Sequence, residues 1–490
     1  MPDTPYDLLL RNGNIVDGTG GPSRRADIAV RDGRIAAIGA LDGAATTEID
    51  AEGLTVAPGF IDVHAHDDAA CLNTPLDFKL LQGVTTDVIG NCGAGIAPHN
   101  PEQRIPSILS LVLGQMPDPE WRSFGEFMST VETARPAINI ACLVPHGAVR
   151  HAVLGMDNRA PTDAELDRMR EYVDEGVAAG AVGMSTGLIY PPGAFAQTEE
   201  IIECAKAAAK HGAVYVSHIR NEADKLMEAV EEALRIGREG GLPVQISHHK
   251  AGAPAVWGMV RDTIALFNER RAAGEDITFD VYPYVAASTV LSAFSAEFDE
   301  LDPDAVLLSS VPGHPEWEGK TLAAVSGELD LPWDQATERV LRDSPGAVAV
   351  FFLMSEEDVQ TVVSDPYCMI GSDGIPTGGK PHPRLYGTFP RVLERYVREE
   401  RLFSLEEGVR KMTSLPARRF ALAERGELRE GWHADITIFN PDTVADVATY
   451  EEPRQYPAGI THVIVNGKLA AAAGNQTEEH AGTLLRRGKA

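Results

Sequence analysis

The chain is short of basic residues, holds few cysteines and contains no long apolar run. Against 72 Asp and Glu it carries only 43 Lys and Arg, a formal charge of −29. Nucleic acid and anionic membrane surfaces bind through basic patches, so neither is expected as a partner. No apolar stretch approaches the roughly 18 residues that a membrane helix needs, and the one at residues 105–113 is short and interrupted. Residues 1–10 lack a basic region ahead of an apolar core, so no secretory signal is read. The 5 cysteines, Cys71, Cys92, Cys142, Cys204 and Cys368, are odd in number, far apart and without CxxC spacing. That argues against a disulfide framework and leads to the expectation of a reducing, cytoplasmic setting. No internal repeat or low-complexity segment is found, and only the last ten residues read as a disordered tail.

What is present is a globular composition, 44% hydrophobic and 23% charged, in a chain long enough to bury a large core. At 490 residues it could hold two or three domains, or one large α/β barrel with an appendage. Residues 6–56 alternate short β-like runs with Gly and Asp turns, among them Leu8-Leu9-Leu10, Asn14-Ile15-Val16 and the Asp32-Gly33 pair, a strong hairpin signal. The C-terminal end repeats this style around Ile436-Thr437-Ile438 and Val463-Ile464-Val465. Neither end can bury a core alone, so one small β-sandwich built from both termini is expected, from residues 1–57 and 425–490.

Between them the pattern becomes strand, helix, strand, helix. Apolar strands are expected at 60–63, 85–89, 138–144, 180–185, 213–217, 243–247, 277–282 and 368–371, and helix-period segments at 163–179, 199–211, 223–240 and 256–273. Eight strands in this alternation predict an α/β fold, a TIM-like (β/α)8 barrel over residues 58–424. The interval 285–367 between the seventh and eighth strands is too long for one connection and must hold an insertion, either a lid over the barrel mouth or a structural elaboration.

Several strand ends carry metal-ligand residue types. In a parallel barrel the C-terminal ends of the strands converge, so ligands distant in sequence can meet there. His64 and His66 follow the first strand and, two apart, can face one ion. Cys92 follows the second, between Asn91 and Gly93; it reads as a thiolate ligand or as an ordinary small buried residue. His218 and His248 close the fifth and sixth strands. His249 competes with His248, but neighbours in a strand face opposite ways, and His248 is preferred, with Lys250 on its face. Asp373 ends the eighth strand, where it could ligate, move a proton or simply cap a helix. Thiolate with imidazoles selects zinc over harder ions.

Together, Pro58-Gly59-Phe60-Ile61-Asp62-Val63-His64-Ala65-His66-Asp67-Asp68, Gly90-Asn91-Cys92-Gly93, Ser185-Thr186-Gly187-Leu188-Ile189-Tyr190, Ser217-His218-Ile219-Arg220-Asn221-Glu222, Ser247-His248-His249-Lys250 and Gly371-Ser372-Asp373-Gly374 with His382-Pro383-Arg384 resemble the N-acyl-D-amino-acid deacylases of the amidohydrolase superfamily. The resemblance covers nearly the whole chain, in order. It implies hydrolysis of a small-molecule N-acyl-D-amino acid. It also implies one tight zinc site at Cys92, His218 and His248, with His64, His66 and Asp373 around a second, weaker position. By the same resemblance Asp373 is the acid/base. Arg384, Tyr190 and Ser288 hold the substrate carboxylate, and Lys250 and Tyr282 lie beside the substrate. On chemistry alone, Arg384 is equally a structural ion pair.

A cyclic-amide hydrolase would share the His-x-His start but carry a bridging lysine at the fourth strand, and Ala181-Val182-Gly183-Met184-Ser185-Thr186 contains none. A non-catalytic scaffold on the same fold would be expected to have lost ligands, and all six candidates are present. Relatives selective for acidic D-amino acids place an arginine after the seventh strand. Here Ser292-Ala293-Phe294-Ser295-Ala296-Glu297-Phe298 has no base, so neutral, mainly apolar D-amino acids are the expected substrates. A homo-oligomer is compatible with all of this.

Overall fold

The computed structural model describes residues 6–103, 121–294, 302–376 and 378–489. Eight parallel strands run in consecutive order, Phe60–Asp62, Val84–Ile89, Asn139–Pro145, Gly183–Gly187, Val214–His218, Val244–Ile246, Ile277–Val281 and Cys368–Ile370. They form the barrel, with helices packed outside. Period-two alternation decides what points inward: Val214 and Val216 of the fifth strand join Ile61, Val88, Leu143 and Met369 in one buried cluster, and His218 continues the same face upward to the mouth.

Local chemistry explains the outer helices. Asp163–Ala178 starts from a reciprocal cap in which the Thr162 hydroxyl accepts from the Glu165 amide while Glu165 accepts from the Thr162 amide. Loss of such a cap costs about 1 kcal/mol. Leu226–Gly240 buries Leu226, Val230, Ala233, Leu234 and Gly237 along one stripe against the sheet, and Gly241, at φ 79°, ends it in the left-handed region.

Both termini enter a single nine-stranded sheet. Thr55–Pro58 lies between Tyr6–Ile15 and Ile436–Phe439, joining the two ends of the chain. This is the small β-sandwich, with a core of its own from Leu8, Leu10, Ile28, Val30, Ile436 and Ile464. The Asp32-Gly33 turn has both residues at positive φ, 52° and 77°, which matches the twist of the hairpin it closes. The runs at Leu8 and Ile15 are one strand rather than two, because a bulge at Asn12, φ 61°, lets the chain continue in a shifted register. Between the seventh and eighth barrel strands lie a three-stranded antiparallel sheet, Ala287–Val290, Val306–Ser310 and Val348–Phe351, and two helices, Leu322–Leu329 and Trp333–Asp343, around a separate apolar cluster.

The C-terminal residues are not a disordered tail. Leu484–Leu485 pairs with Ile140 and Ala141 of the third barrel strand, whose upper half alone pairs with the fourth. The tail therefore fills a split near the base of the barrel, and Leu485 packs beside Phe420 and Leu422 in the inner cluster. All five cysteines are free and buried. Among the described residues no helix is long and apolar enough to cross a membrane.

Candidate active site

The six candidate ligands meet at the barrel mouth. Cys92 Sγ lies 3.6 Å from His218 Nδ1, 3.6 Å from His248 Nε2 and 3.3 Å from His64 Nε2. Asp373 Oδ1 is 3.1 Å from His66 Nε2 and 3.5 Å from His64 Nε2. These atoms form three overlapping triads: Cys92, His218 and His248; His64, His66 and Cys92; and His64, His248 and Asp373. A tetrahedral ion bound by sulfur at about 2.3 Å and nitrogen at about 2.0 Å would separate those two donors by about 3.5 Å. The Cys92 distances therefore fit zinc without rearrangement.

Backbone strain accompanies this placement. The first barrel strand stops at Asp62, so His64 and His66 project from the loop beyond it rather than from the strand. Cys92, His248 and Asp373 hold φ of 54°, 32° and 48°, left-handed values that cost a non-glycine residue about 1–3 kcal/mol each. Glycines permit the close approach: a Cβ at Gly371 would stand 2.5 Å from the Cβ of His64.

Burial alone would push the Cys92 thiol up, but the His64 imidazole and hydrogen bonds with His218, His248 and His64 hold it well below its ordinary range, as a ligating thiolate requires. Burial likewise opposes ionisation of Asp373; Arg384 and His64 override it and keep this carboxyl far below its usual value.

Two carboxylates behind the cluster aim the imidazoles. Asp280 Oδ1 lies 3.2 Å from His64 Nδ1 and accepts from the His248 amide at 2.9 Å. Glu222 Oε1 lies 3.0 Å from His248 Nδ1 and 2.6 Å from Lys250 Nζ. Each directs the opposite ring nitrogen, Nε2, toward Cys92. Sequence reading missed both residues. The available signals were an acid in the apolar run Phe279-Asp280-Val281 and an acid four positions after His218. His249 turns away, its Nε2 2.7 Å from Thr263 Oγ1 and its ring among Phe267 and Phe279; burial pushes this imidazole down to about 3.

A cavity of about 400 Å³ opens over Cys92, His66, His218, His248 and Asp373. Tyr190, Ser288, Lys250 and Tyr282 line it, and apolar wall comes from Met156, Ile189, Val290, Ala293 and Ile375. The insertion supplies the outer side through Ser288, Thr289 and Val290, joined to the barrel where the Tyr190 hydroxyl meets Thr289 Oγ1 at 3.0 Å. Arg384 stands behind this wall, fully buried. Its Nη2 is 3.0 Å from Asp373 Oδ2 and donates to the Ser288 carbonyl, its guanidinium carbon lies 4.4 Å over the Tyr282 ring, and its Nε and Nη1 have no protein partner. Asp67 and Asp68 do not line the cavity: Asp67 faces Lys79, and Asp68 accepts from the Gly90 amide. Ser295 to Phe298, on which the substrate expectation partly rested, lie outside the described residues, as does the side chain of Phe294.

A strained thiolate and imidazole cluster beneath an apolar-walled cavity is the arrangement of a metal-dependent hydrolase. Residues 47–283 and 337–471 match the Amidohydrolase family model. The chain is 44% identical to a D-aminoacylase of Alcaligenes xylosoxydans xylosoxydans, over 99% of this chain and 98% of that protein. It is 43% identical to an N-acyl-D-glutamate deacylase of the same organism, over 94% and 93%. Among solved structures, an N-acyl-D-glutamate deacylase from Bordetella bronchiseptica, complexed with zinc and a phosphonate mimic of the tetrahedral intermediate, superposes with a TM-score of 0.92 at 43% identity, covering 99% of this chain and all of that one. This chain belongs to the D-aminoacylase family of metal-dependent amidohydrolases.

Proposed function

We propose that the protein hydrolyses N-acyl-D-amino acids with neutral, mainly apolar side chains, releasing a carboxylate and the free D-amino acid, with zinc as its metal. The observation that carries this reading is the coincidence of the Cys92, His218 and His248 triad with an apolar-walled cavity whose floor holds Asp373. Cys92, His218 and His248 would hold the tight ion, and His64, His66 and Asp373 would border a weaker second position. Zinc bound there supplies the Lewis acidity that polarises an amide carbonyl and acidifies water.

The remaining chemistry belongs to side chains. Asp373, kept ionised by Arg384, accepts a proton from the attacking water and returns it to the amine as the C–N bond breaks. Ser288 and Tyr190 on the wall, with the two unpartnered donors of Arg384 behind it, take the substrate carboxylate. Lys250 and Tyr282, which also line the cavity, lie beside the substrate. No lysine stands on the fourth strand, Gly183–Gly187, to bridge two metals as a cyclic-amide hydrolase requires.

Substrate choice follows from the wall. Among the described residues its only lysine or arginine is Lys250, already held 2.6 Å from Glu222. An acidic side chain would be buried without a partner at a cost of several kcal/mol, and each 1.4 kcal/mol is about tenfold. The test is kcat/KM for N-acetyl-D-leucine, N-acetyl-D-methionine and N-acetyl-D-glutamate on zinc-loaded protein. The first two are expected to exceed the third by at least about tenfold; a higher value for the glutamate derivative would overturn the side-chain argument.

A further inference from the structure

The barrel has a seam. Among the described residues the first and eighth strands share no ladder, and beyond their ends only an isolated bridge joins Ala65 to Gly374. Yet the loops on either side of this seam carry His64, His66 and Asp373, whose spacing must be fixed to a fraction of an ångström for a ligand set to work.

The seam is closed from below by a buried ionic cluster. Lys79, on the short helix Asp77–Leu80 ahead of the second strand, donates through Nζ to Asp62 Oδ2 at 2.5 Å and to Ser372 Oγ at 2.9 Å. Asp67 Oδ2 stands 3.1 Å and Asp87 Oδ1 3.8 Å from the same nitrogen, and all four side chains are 0% exposed. The second oxygen of Asp62 accepts from two amides, His64 at 3.1 Å and Ser372 at 2.8 Å, one on each side of the seam. Ser372 Oγ also accepts from the Gly374 amide at 3.1 Å, and the Asp373 amide donates to the His64 carbonyl at 2.7 Å. One lysine thus fixes the carboxylate and the hydroxyl that together grip both loops.

Burying an ammonium among three carboxyl groups, of which burial and the neighbouring Asp67 and Asp62 push Asp87 well above its usual range, is a poor way to gain stability, since packed apolar residues of similar volume often do as well or better. What the cluster supplies instead is directionality across a gap where backbone pairing fails. Resting on the functional reading above, we propose that Lys79 is a positioning residue for the reaction: acting through Asp62 and Ser372, it sets the separation between the His64 and His66 loop and Asp373, and hence the second, weaker metal position. Of the tight-site residues, His218 and His248 close strands that the cluster does not touch, and the strand ahead of Cys92 meets Lys79 only through Asp87 at 3.8 Å, so the first zinc constant is expected to change little.

The test combines zinc titration of metal-stripped full-length protein with steady-state kinetics for Lys79→Met, Lys79→Arg and Ser372→Ala. Lys79→Met is expected to keep the first zinc constant within threefold, to weaken the second at least tenfold, and to lower kcat about a hundredfold with KM changed less than threefold. Ser372→Ala leaves the Lys79–Asp62 pair intact and is expected to weaken the second zinc constant and kcat by about three- to tenfold, with an unchanged melting temperature. Lys79→Arg, which keeps the charge, is expected to recover part of both. If Lys79→Met does not fold, Ser372→Ala and Lys79→Arg decide alone. Unchanged second-site binding in the folded variants, whatever their thermal stability, would overturn the proposal. Zinc binding is read without substrate, so the result stands apart from whether N-acyl-D-amino acids are turned over.

Discussion

Replacing Glu222 by glutamine tests how the proposed tight zinc site is held. The carboxylate stands 3.0 Å from His248 Nδ1 and 2.6 Å from Lys250 Nζ, while that same Lys250 nitrogen is 2.8 Å from His248 Nδ1. For His248 to ligate through Nε2, its proton must sit on Nδ1, and an anionic acceptor there keeps it in place. Glutamine offers a neutral acceptor and leaves the Lys250 ammonium without its counter-charge. The lysine then donates to Nδ1 itself, which favours the tautomer protonated on Nε2, unable to ligate. Loss of such an orienting partner weakens metal binding by about 10- to 100-fold, or about 1.4 to 2.7 kcal/mol. The upper half of that range is expected, because one carboxylate holds both groups: the Glu222 side chain is 15% exposed, burial would raise its carboxyl, and Lys250 and His248 instead hold it far below its usual value. The assay is competition for zinc against a chromophoric chelator, with wild type and Asp280→Asn alongside. Asp280 faces the His64 ring but meets His248 only at its backbone amide, so its variant is expected to weaken the tight constant less than Glu222→Gln does. A Glu222→Gln constant within threefold of wild type would refute the reasoning.

Cys92→Ala, His218→Ala and His248→Ala are each expected to lose zinc and turnover while His249→Ala keeps most of its metal; full retention in any of the first three removes that residue from the site. Asp373→Asn is expected to lower kcat by about two to four orders of magnitude with the fold intact, and a fall of less than tenfold would place the base elsewhere. Burial alone would lower the His66 imidazole, yet Asp373 and the Cys92 thiolate push it up to about 9. Below that pH the imidazole of the metal-free protein holds a proton that zinc entering beside His66 must displace, so affinity there is expected to weaken as pH drops from 9 toward 7; calorimetric titrations at three pH values check this, and a flat dependence contradicts it. Removing residues 483–490 takes away Leu484 and Leu485, each 8% exposed, and about 1.5–3 kcal/mol of burial apiece. A lower melting temperature with unchanged zinc constants is the expected result, measured by calorimetry.

The clustering of the candidate ligands was legible where one residue type and one strand end sufficed. Cys92, His218, His248 and Asp373 each follow an apolar run, and convergence of strand ends in a barrel does the rest. Glu222, Asp280 and Lys79 were not legible, because an acid or lysine gains its role only from neighbours that folding brings to it: His248 is 26 residues beyond Glu222, and Ser372 is 293 residues beyond Lys79. For Arg384, sequence chemistry left two roles open; the ion pair with Asp373 is present, and its two unpartnered donors keep the carboxylate role available. The fold was readable in its periodicity and misread where periodicity fails. A bulge joined two expected strands into Tyr6–Ile15, and a two-residue strand, Leu484–Leu485, carries no pattern that could mark it.

The proposed reaction is zinc-dependent hydrolysis of the amide of N-acyl-D-amino acids in this cavity. Amine release from N-acetyl-D-methionine and from its L-enantiomer, by metal-stripped protein before and after one equivalent of zinc, tests it most directly. Zinc-dependent release from the D-enantiomer alone, abolished in Cys92→Ala, is the result expected; equal rates on both enantiomers, or activity indifferent to zinc and to Cys92, would contradict it.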